Sequence, residues 1–289
     1  MTTARTDDKK GEALKAQRFQ MLEDIACELT EAVAFPTCFD VTLKLRKVLS
    51  LPDVTIGQIA KAVTGDPLVC SRLLSLANSV MYNPGGNEIT NINTVIQKLG
   101  VNVVRTTALA LAGKQMLMSK HMAAFEGLTK GLWDHSVFAA AAAYVVAGRR
   151  TRLNRDDALL AGLVHDLGAF YMLYRGVQYE ELRVRPDTLR YLVVQWHESI
   201  GESLLNALGV PEKISEAVRD HDQPRPVPPV PATLADVVYI ANIMAGGADE
   251  WLLKDLKSEA PRAMPPIDPY LDLLPEIDTY AKELKAAFS

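Results

Sequence analysis

The sequence predicts an all-α fold. Apolar residues recur at helical spacing along most of the chain. The breaks between these stripes carry helix-start and helix-stop residues. No stretch alternates apolar and polar residues for long enough to make a sheet. Val41, Leu45, Val48 and Leu49 fall at i, i+4, i+7 and i+8. Thr55 and Gln58 form a capping box ahead of the stripe Ile56, Ile59, Ala60 and Val63, which Gly65 ends. Asp66-Pro67 pairs an N-cap with proline at the first helical position, and the helix it opens carries Leu73, Leu76, Ala77 and Val80 on one side. Residues 82–86, Tyr-Asn-Pro-Gly-Gly, are a loop. A short helix with Val95, Ile96 and Leu99 stops at Gly100, and Asn102 caps the next, toward Met116.

Longer elements follow. Residues 129–149 are an alanine-rich helix ending in Arg149-Arg150, basic residues suited to a helix C-terminus. Asn154 caps a helix that has Asp156 and Asp157 in its first turn and is expected to run to about Leu173. A long helix covers about 187–208 and stops at Gly209, and Pro211 opens another that reaches His221. The run 224–231 holds five prolines and cannot be helical; its PxxP spacings suit a partner ligand, but a rigid polyproline-type connector is the plainer reading. Helices resume over 233–245 and 275–288, separated by a proline-rich stretch over 261–269.

The chain has 289 residues, long enough for one large core or two smaller ones. The expected division is a flexible N-terminus (1–18), an N-terminal helical part (19–120) and a second helical part (121–289), with the boundary near 118–128. With 31 basic and 35 acidic side chains the net charge is −4, which argues against nonspecific coating of nucleic acid, so no nucleic acid is expected as a partner. The first 15 residues lack the apolar core of a signal peptide. The longest apolar run, 137–147, is far short of the roughly 20 residues that span a bilayer. A cytoplasmic protein without a membrane partner is expected. Cys27, Cys38 and Cys70 have no metal-ligand spacing and read as reduced thiols.

Five histidines stand at 121, 135, 165, 197 and 221. The last four are about one helical hairpin apart, a spacing that can bring one residue from each of several helices to a common point. The pairs His165-Asp166 and His221-Asp222 add carboxylates, and imidazole with carboxylate is a ligand set that divalent metals accept. Such a metal can lower the pKa of a bound water and attack a phosphoester. Taken one at a time, each histidine reads as a hydrogen-bonded structural residue. The pair His165-Asp166 inside the apolar run 163–168 changes the balance, because two buried ionisable groups there need a partner or a metal. Arg149, Arg150, Arg152 and Arg155 form a basic cluster, read either as a solvated loop or as an interaction surface for an acidic partner or a nucleotide phosphate. Ser71 and Ser136 lack a placed acid for a triad, and neither glycine pair, 85–86 or 246–247, opens a phosphate-binding motif.

At these residues the chain resembles the HDOD family. Phe35-Pro36-Thr37, the segment 59–67, the run 71–79 (Ser-Arg-Leu-Leu-Ser-Leu-Ala-Asn-Ser) and then Tyr82, Ile89-Thr90, Ile96 and Leu99-Gly100 carry the first half of the likeness. Leu132 to Ser136, Ala161 to Gly168, His197 with Gly201, and the stretch from Leu204 through Pro211 to His221 carry the second. The likeness spans roughly residues 25–250. It implies an all-helical bacterial signalling module, with an N-terminal multi-helix domain packed on a degenerate domain distantly similar to HD and HD-GYP phosphohydrolases.

Against the HD-GYP pattern several positions depart. Ala169 stands where a lysine would follow His-Asp, Gly131 where an acid would precede His135, and Asp222 where a second histidine would stand. Asn242 is the nearest match to the late aspartate, with Asp236 one face earlier, and the GYP motif is absent. The resulting candidate metal set is His135, His165, Asp166, His197 and His221, with Asp222 and Asn242 peripheral. No cofactor is required by this reading; a single divalent metal (Fe, Mn, Zn or Ni) is the one the set suits. The expectation is a stand-alone, non-catalytic regulatory module acting by protein–protein contact. Response regulators or cyclic di-GMP enzymes are the partners the resemblance implies, and homo-oligomerisation is left open. The rival reading is a metal-dependent phosphohydrolase or cyclic-dinucleotide phosphodiesterase with those histidines and Asp166 as ligands. A third, a nucleotide sensor that does not cleave its ligand, is inseparable from the first by sequence.

Overall fold

The computed structural model describes residues 12–30, 37–118, 122, 125–247 and 265–289. Every regular element among them is helical. The first is α1 (Glu12–Thr30), followed by α2 (Asp40–Leu49), α3 (Ile56–Val63), α4 (Pro67–Asn78) and α5 (Ile92–Leu117). Then come α6 (Glu126–Arg150), α7 (Arg155–Val164), α8 (Leu167–Gly176), the single turn α9 (Glu180–Arg183) and α10 (Pro186–Ala207). The short α11 (Glu212–Ala217), α12 (Leu234–Met244) and α13 (Leu274–Phe288) complete the chain. The capping signals act as read. The Thr55–Gln58 box closes on α3, Asp66 accepts from the Leu68 and Val69 amides, and Asn154 accepts from those of Asp156 and Asp157.

Helix α6 is the axis of the second half. Its face Ala139 to Ala143 is fully buried, and α7, α12 and α13 pack around it. Alanines leave no side chain to hold neighbours away, so α7 comes close enough that a Cβ on Gly162 would lie 2.8 Å from the Ala139 carbonyl oxygen. Helix α8 packs on α10 and α5, and α13 bridges α6 and α4. Phe288 at the end of α13 sits edge-on to Trp133, with ring centroids 5.9 Å apart. The expected boundary near 118–128 falls on a segment of which 119–121, 123 and 124 lie outside the described residues. Contacts of α5 with α7 and α8, and of α13 with α4, cross it.

Several expectations are corrected. The segment 1–18 was expected to be flexible, yet α1 starts at Glu12 and buries Leu14, with Met21 and Ile25 at seven and four residues' further spacing. Its polar face ties down to the turn of α9: Gln17 accepts the Glu181 amide, and Tyr179 donates to Asp24. Residues 1–11 lie outside the description. The helix expected from Asn154 to about Leu173 is broken at His165-Asp166 into α7 and α8. The stop read at Gly100 stands: its φ of +78° lies outside helical geometry, so two helices meet at a kink within α5. The helix after Pro211 stops at Ala217, four residues short of His221. Among the described residues no helix is long and apolar enough to cross a membrane.

The break between α7 and α8 turns the chain so that Gly168 faces Gly201 of α10. A Cβ on Gly168 would run into the His197 carbonyl oxygen and lie 2.5 Å from the Gly201 amide nitrogen. Neither neighbour is a movable side-chain end, so both backbones would have to separate. Gly168→Ala is therefore expected to lose about 3 kcal/mol or more in urea unfolding. Gly127→Ala, at a helical position where an added Cβ meets nothing within 4 Å, should change stability by less than about 1 kcal/mol.

Candidate metal centre

Three helices and a turn deliver one imidazole each. His135 lies mid-way along α6, His165 at the end of α7, His197 on α10 and His221 just past α11. All four are buried, as is Asp166 at 1% exposure. Each ring points its Nδ1 at a main-chain carbonyl. His135 reaches Ala245 at 3.1 Å, and His165, His197 and His221 reach Gly162, Val193 and Val218, each at 2.8 Å. A carbonyl only accepts, so Nδ1 carries the proton, and in a neutral ring Nε2 presents a lone pair. The four Nε2 atoms all face inward. Those of His135 and His165 are 3.0 Å apart, and those of His197 and His221 are 3.3 Å apart.

The Asp166 carboxylate stands between the two pairs. Its Oδ2 is 3.2 Å from His165 Nε2 and 3.4 Å from His135 Nε2. Its Oδ1 is 3.2 Å from His221 Nε2 and 3.6 Å from His197 Nε2. Two triads result, His135–His165–Asp166 and Asp166–His197–His221, each with ligand atoms within 4.8 Å of one another. All five predicted ligands thus converge. Facing lone pairs repel unless a proton or a cation lies between them, and Asp166 Oδ2 is a buried oxygen without a hydrogen-bond partner. Imidazole nitrogen with shared carboxylate oxygen suits a borderline divalent cation such as Zn, Mn, Fe or Ni. The residues present fit such a group. When bound, it would supply a positive charge to hold the four rings and the carboxylate together, and a Lewis acid for any water admitted.

Asp222 and Asn242 border this centre. Asp222 Oδ2 is 3.5 Å from His197 Nε2, and Asp222 Oδ1 accepts from Asn242 Nδ2 at 2.7 Å. Asn242 Nδ2 also donates to the His221 carbonyl. Sequence reasoning missed Glu198. Its Oε1 accepts the Asp222 amide and its Oε2 accepts from Gln223, so it pins the turn carrying His221. Its position beside His197 was the available signal. The anchoring carbonyls of Gly162, Val193, Val218 and Ala245 leave no side-chain signal. Ala169, at the lysine position of the HD-GYP pattern, is fully buried. His121 lies outside the described residues. No cysteine joins a metal-ligating group among the described residues.

The arginine cluster lies about 20 Å along α6 from His135 at 1.5 Å per residue. Arg149 makes two hydrogen bonds to Glu276, Arg150 pairs with Asp272, and Arg155 stacks 3.9 Å over the Tyr144 ring. Arg152 lines a shallow cleft with Val230 and Pro231.

Burial and charge divide the imidazoles. Burial pushes His135 down to about 4, against the attraction of Asp166. Burial also opposes charge on His221, but the hydrogen bond to Asp166 and the charge of Asp222 win and raise it to about 10. His197 rises for the same kind of reason: burial opposes its charge, and the bond to Asp222 outweighs it. Burial works against the Asp166 anion, yet His165 and His221 hold it well below the usual carboxylate range. The signs give a pH profile for protein stripped of metal. The raised His221 contributes stability that is complete below about 6.5 and is lost as pH rises through about 10. The lowered His135 removes stability as pH falls from about 6.5 toward about 4. Urea midpoints of chelator-treated protein should peak near neutral pH and decline on both sides. A midpoint that climbs steadily from pH 6.5 to 10 would contradict this assignment of protons.

The HDOD domain family matches residues 35–224, well over half of the chain. An uncharacterized protein of Treponema pallidum (strain Nichols) is 21% identical over 244 residues, covering 80% of this chain and 45% of the relative. The chain therefore spans less than half the length of that relative. A Shewanella amazonensis SB2B protein provisionally named a metal-dependent phosphohydrolase superposes with a TM-score of 0.68 at 21% identity, covering 96% of this chain and all of the other. An HDOD domain protein of unknown function from Geobacter sulfurreducens gives 0.54 at 18% identity, with 95% and 99% covered. At these identities the two structures share the fold. The match over residues 35–224 makes this chain a member of the HDOD domain family.

Proposed function

We propose that this HDOD protein is a non-catalytic, cytoplasmic signalling module that acts by contact with other proteins, and that its histidine–aspartate centre holds a divalent cation as a staple between helices. Burial is the observation that carries this reading. A phosphodiester must bring its phosphorus to a metal-bound water, whereas the five ligand residues are at most 5% exposed and packed into the core. The helices that supply the ligands also form much of the hydrophobic interior. A cation there ties α6, α7, α10 and the turn after α11 together and fixes the outer surfaces that partners meet. Response regulators or cyclic di-GMP enzymes are the proposed partner classes.

One observation favours a second reading, a metal-dependent phosphohydrolase. Asp166 sits between two His-His pairs, the arrangement a two-metal clamp on phosphate uses, and the Shewanella relative bears such a provisional name. Against it stand Ala169 for the lysine and Asn242 for an anionic ligand. One experiment separates them: metal analysis of purified protein for Fe, Mn, Zn and Ni, with hydrolysis of a generic phosphodiester and of cyclic di-GMP, and His165→Ala as control. The staple reading expects bound metal, no turnover above background and a lower melting temperature in chelator. Metal-dependent turnover that disappears in His165→Ala overturns it in favour of the hydrolase.

A further inference from the structure

We infer that the cleft at the end of α6, between residues 149–153 and 230–232, receives an acidic, partly apolar segment of a partner protein. This rests on the protein-contact part of the proposed function and makes no use of the buried centre. The first argument is charge. The cleft has a volume of about 520 Å³, and its lining holds the guanidinium groups of Arg149, Arg150 and Arg152 and no carboxylate. Arg152 is exposed, and no acid pairs with it among the described residues. A guanidinium has five N–H donors. Arg149 spends two of them on Glu276, and Arg150 meets Asp272 and the Pro269 carbonyl through Nη2 alone. Donors are therefore left on all three side chains, beside a cleft that supplies no anion.

The second argument is the kind of anion. The two paired arginines already meet side-chain carboxylates, Glu276 in the first turn of α13 and Asp272 in the 3-10 turn before it. Phosphate sites draw instead on main-chain amides, above all at a helix N-terminus. This is a helix C-terminus, and its amides are largely spent. That of Thr151 goes to the Ala147 carbonyl, that of Leu153 to Thr151 Oγ1 and that of Ala232 to Asp236, while Pro231 has none. What remains to grip a ligand is the arginine side chains, whose planar forks match a carboxylate in two bonds.

The third argument is the opposite wall. The negative end of the α6 dipole accounts for arginines here, but not for the apolar side chains that share the cleft with them. Val230 is 70% exposed, and Leu153 and Pro231 line the cleft with it. The run carrying Val230 is held firmly. Tyr270 donates to the Pro228 carbonyl, Tyr239 exchanges two hydrogen bonds with the Arg225 main chain, and the Arg225 guanidinium stacks 4.4 Å over the Tyr239 ring. A wall fixed in advance costs little ordering when a ligand covers it. A carboxylate flanked by an apolar side chain answers both walls at once, and a bare anion answers only one.

The test screens the full chain against a set of short labelled peptides that mix Asp and Glu with Leu, Val and Phe, and against the same set with Asn and Gln in place of the acids, by fluorescence anisotropy. Acidic members should bind, more weakly as salt rises, and their amide counterparts should not. Arg152→Glu should weaken the best binder about tenfold or more, and Val230→Ser should weaken it several-fold. Both positions are exposed, so melting temperatures should stay at the wild-type value; Arg152→Ala serves if the charge reversal disturbs folding. A wild-type chain that binds none of the acidic peptides overturns the inference, and so does binding that neither substitution changes. Displacement of the peptide by inorganic phosphate, with Val230→Ser at wild-type affinity, overturns it in favour of a small-anion site. The proposed function fails separately: metal-dependent phosphodiester turnover overturns the non-catalytic role without moving these affinities, and absence of peptide binding leaves the metal staple in place.

Discussion

One buried carboxylate governs the second half of this protein. Asp166 is 1% exposed and has an imidazole nitrogen within 3.6 Å on every ligand-bearing side. A carboxylate in such surroundings persists only if positive charge meets it, and a lone isolated ion would cost far more than a domain's net stability. The protein answers with four imidazoles whose outer nitrogens are tied to carbonyls on α6's neighbours and on the turns around them. The backbone path follows from that demand: α7 must stop at His165, α8 must leave at an angle, and α12 must end where the Ala245 carbonyl can take His135 Nδ1.

Small residues make the convergence sterically feasible. Gly162 lets α7 lie on the alanine face of α6, and Gly168 lets α8 touch α10 at Gly201. These two contacts flank the His-Asp pair in sequence, three residues before it and two after. The same short segment therefore supplies both the ligands and the close approaches that bring the other two helices to them. Close packing of this kind tolerates little adjustment, since interiors are as dense as organic crystals. The centre and the helix crossings stand or fall together.

The contrast between the arginine cluster and the histidines is instructive. The arginines at 149, 150, 152 and 155 are close together in the sequence, whereas the histidines are not. The arginines disperse: one pairs with Glu276, one with Asp272 and one stacks on Tyr144. The histidines, dispersed over 87 residues of sequence from 135 to 221, converge. Charge at a helix end is readily met by an acid from whichever element passes, here the 3-10 turn before α13 and the first turn of α13 itself. An imidazole inside an apolar helix has no such choice and must find polar company in the core.

Local chemistry made most of the fold legible in the sequence. Apolar spacing, the Thr55–Gln58 box, the Asp66 and Asn154 caps and the proline run mark elements because each acts within a few residues. The same locality explains the misses. Nothing near 165–166 forbids a continuous helix; the break follows from the approach of α10 and the pull of His135, His197 and His221. Leu14, Met21 and Ile25 do not reveal that α1 is held down, because its partners lie more than 150 residues away at Gln17–Glu181 and Asp24–Tyr179. Which residues could be ligands was a matter of residue type, and the sequence by itself determined that. Whether they meet and which nitrogen faces inward were decided by tertiary structure alone, because those answers depend on carbonyls and helix crossings that no single segment contains.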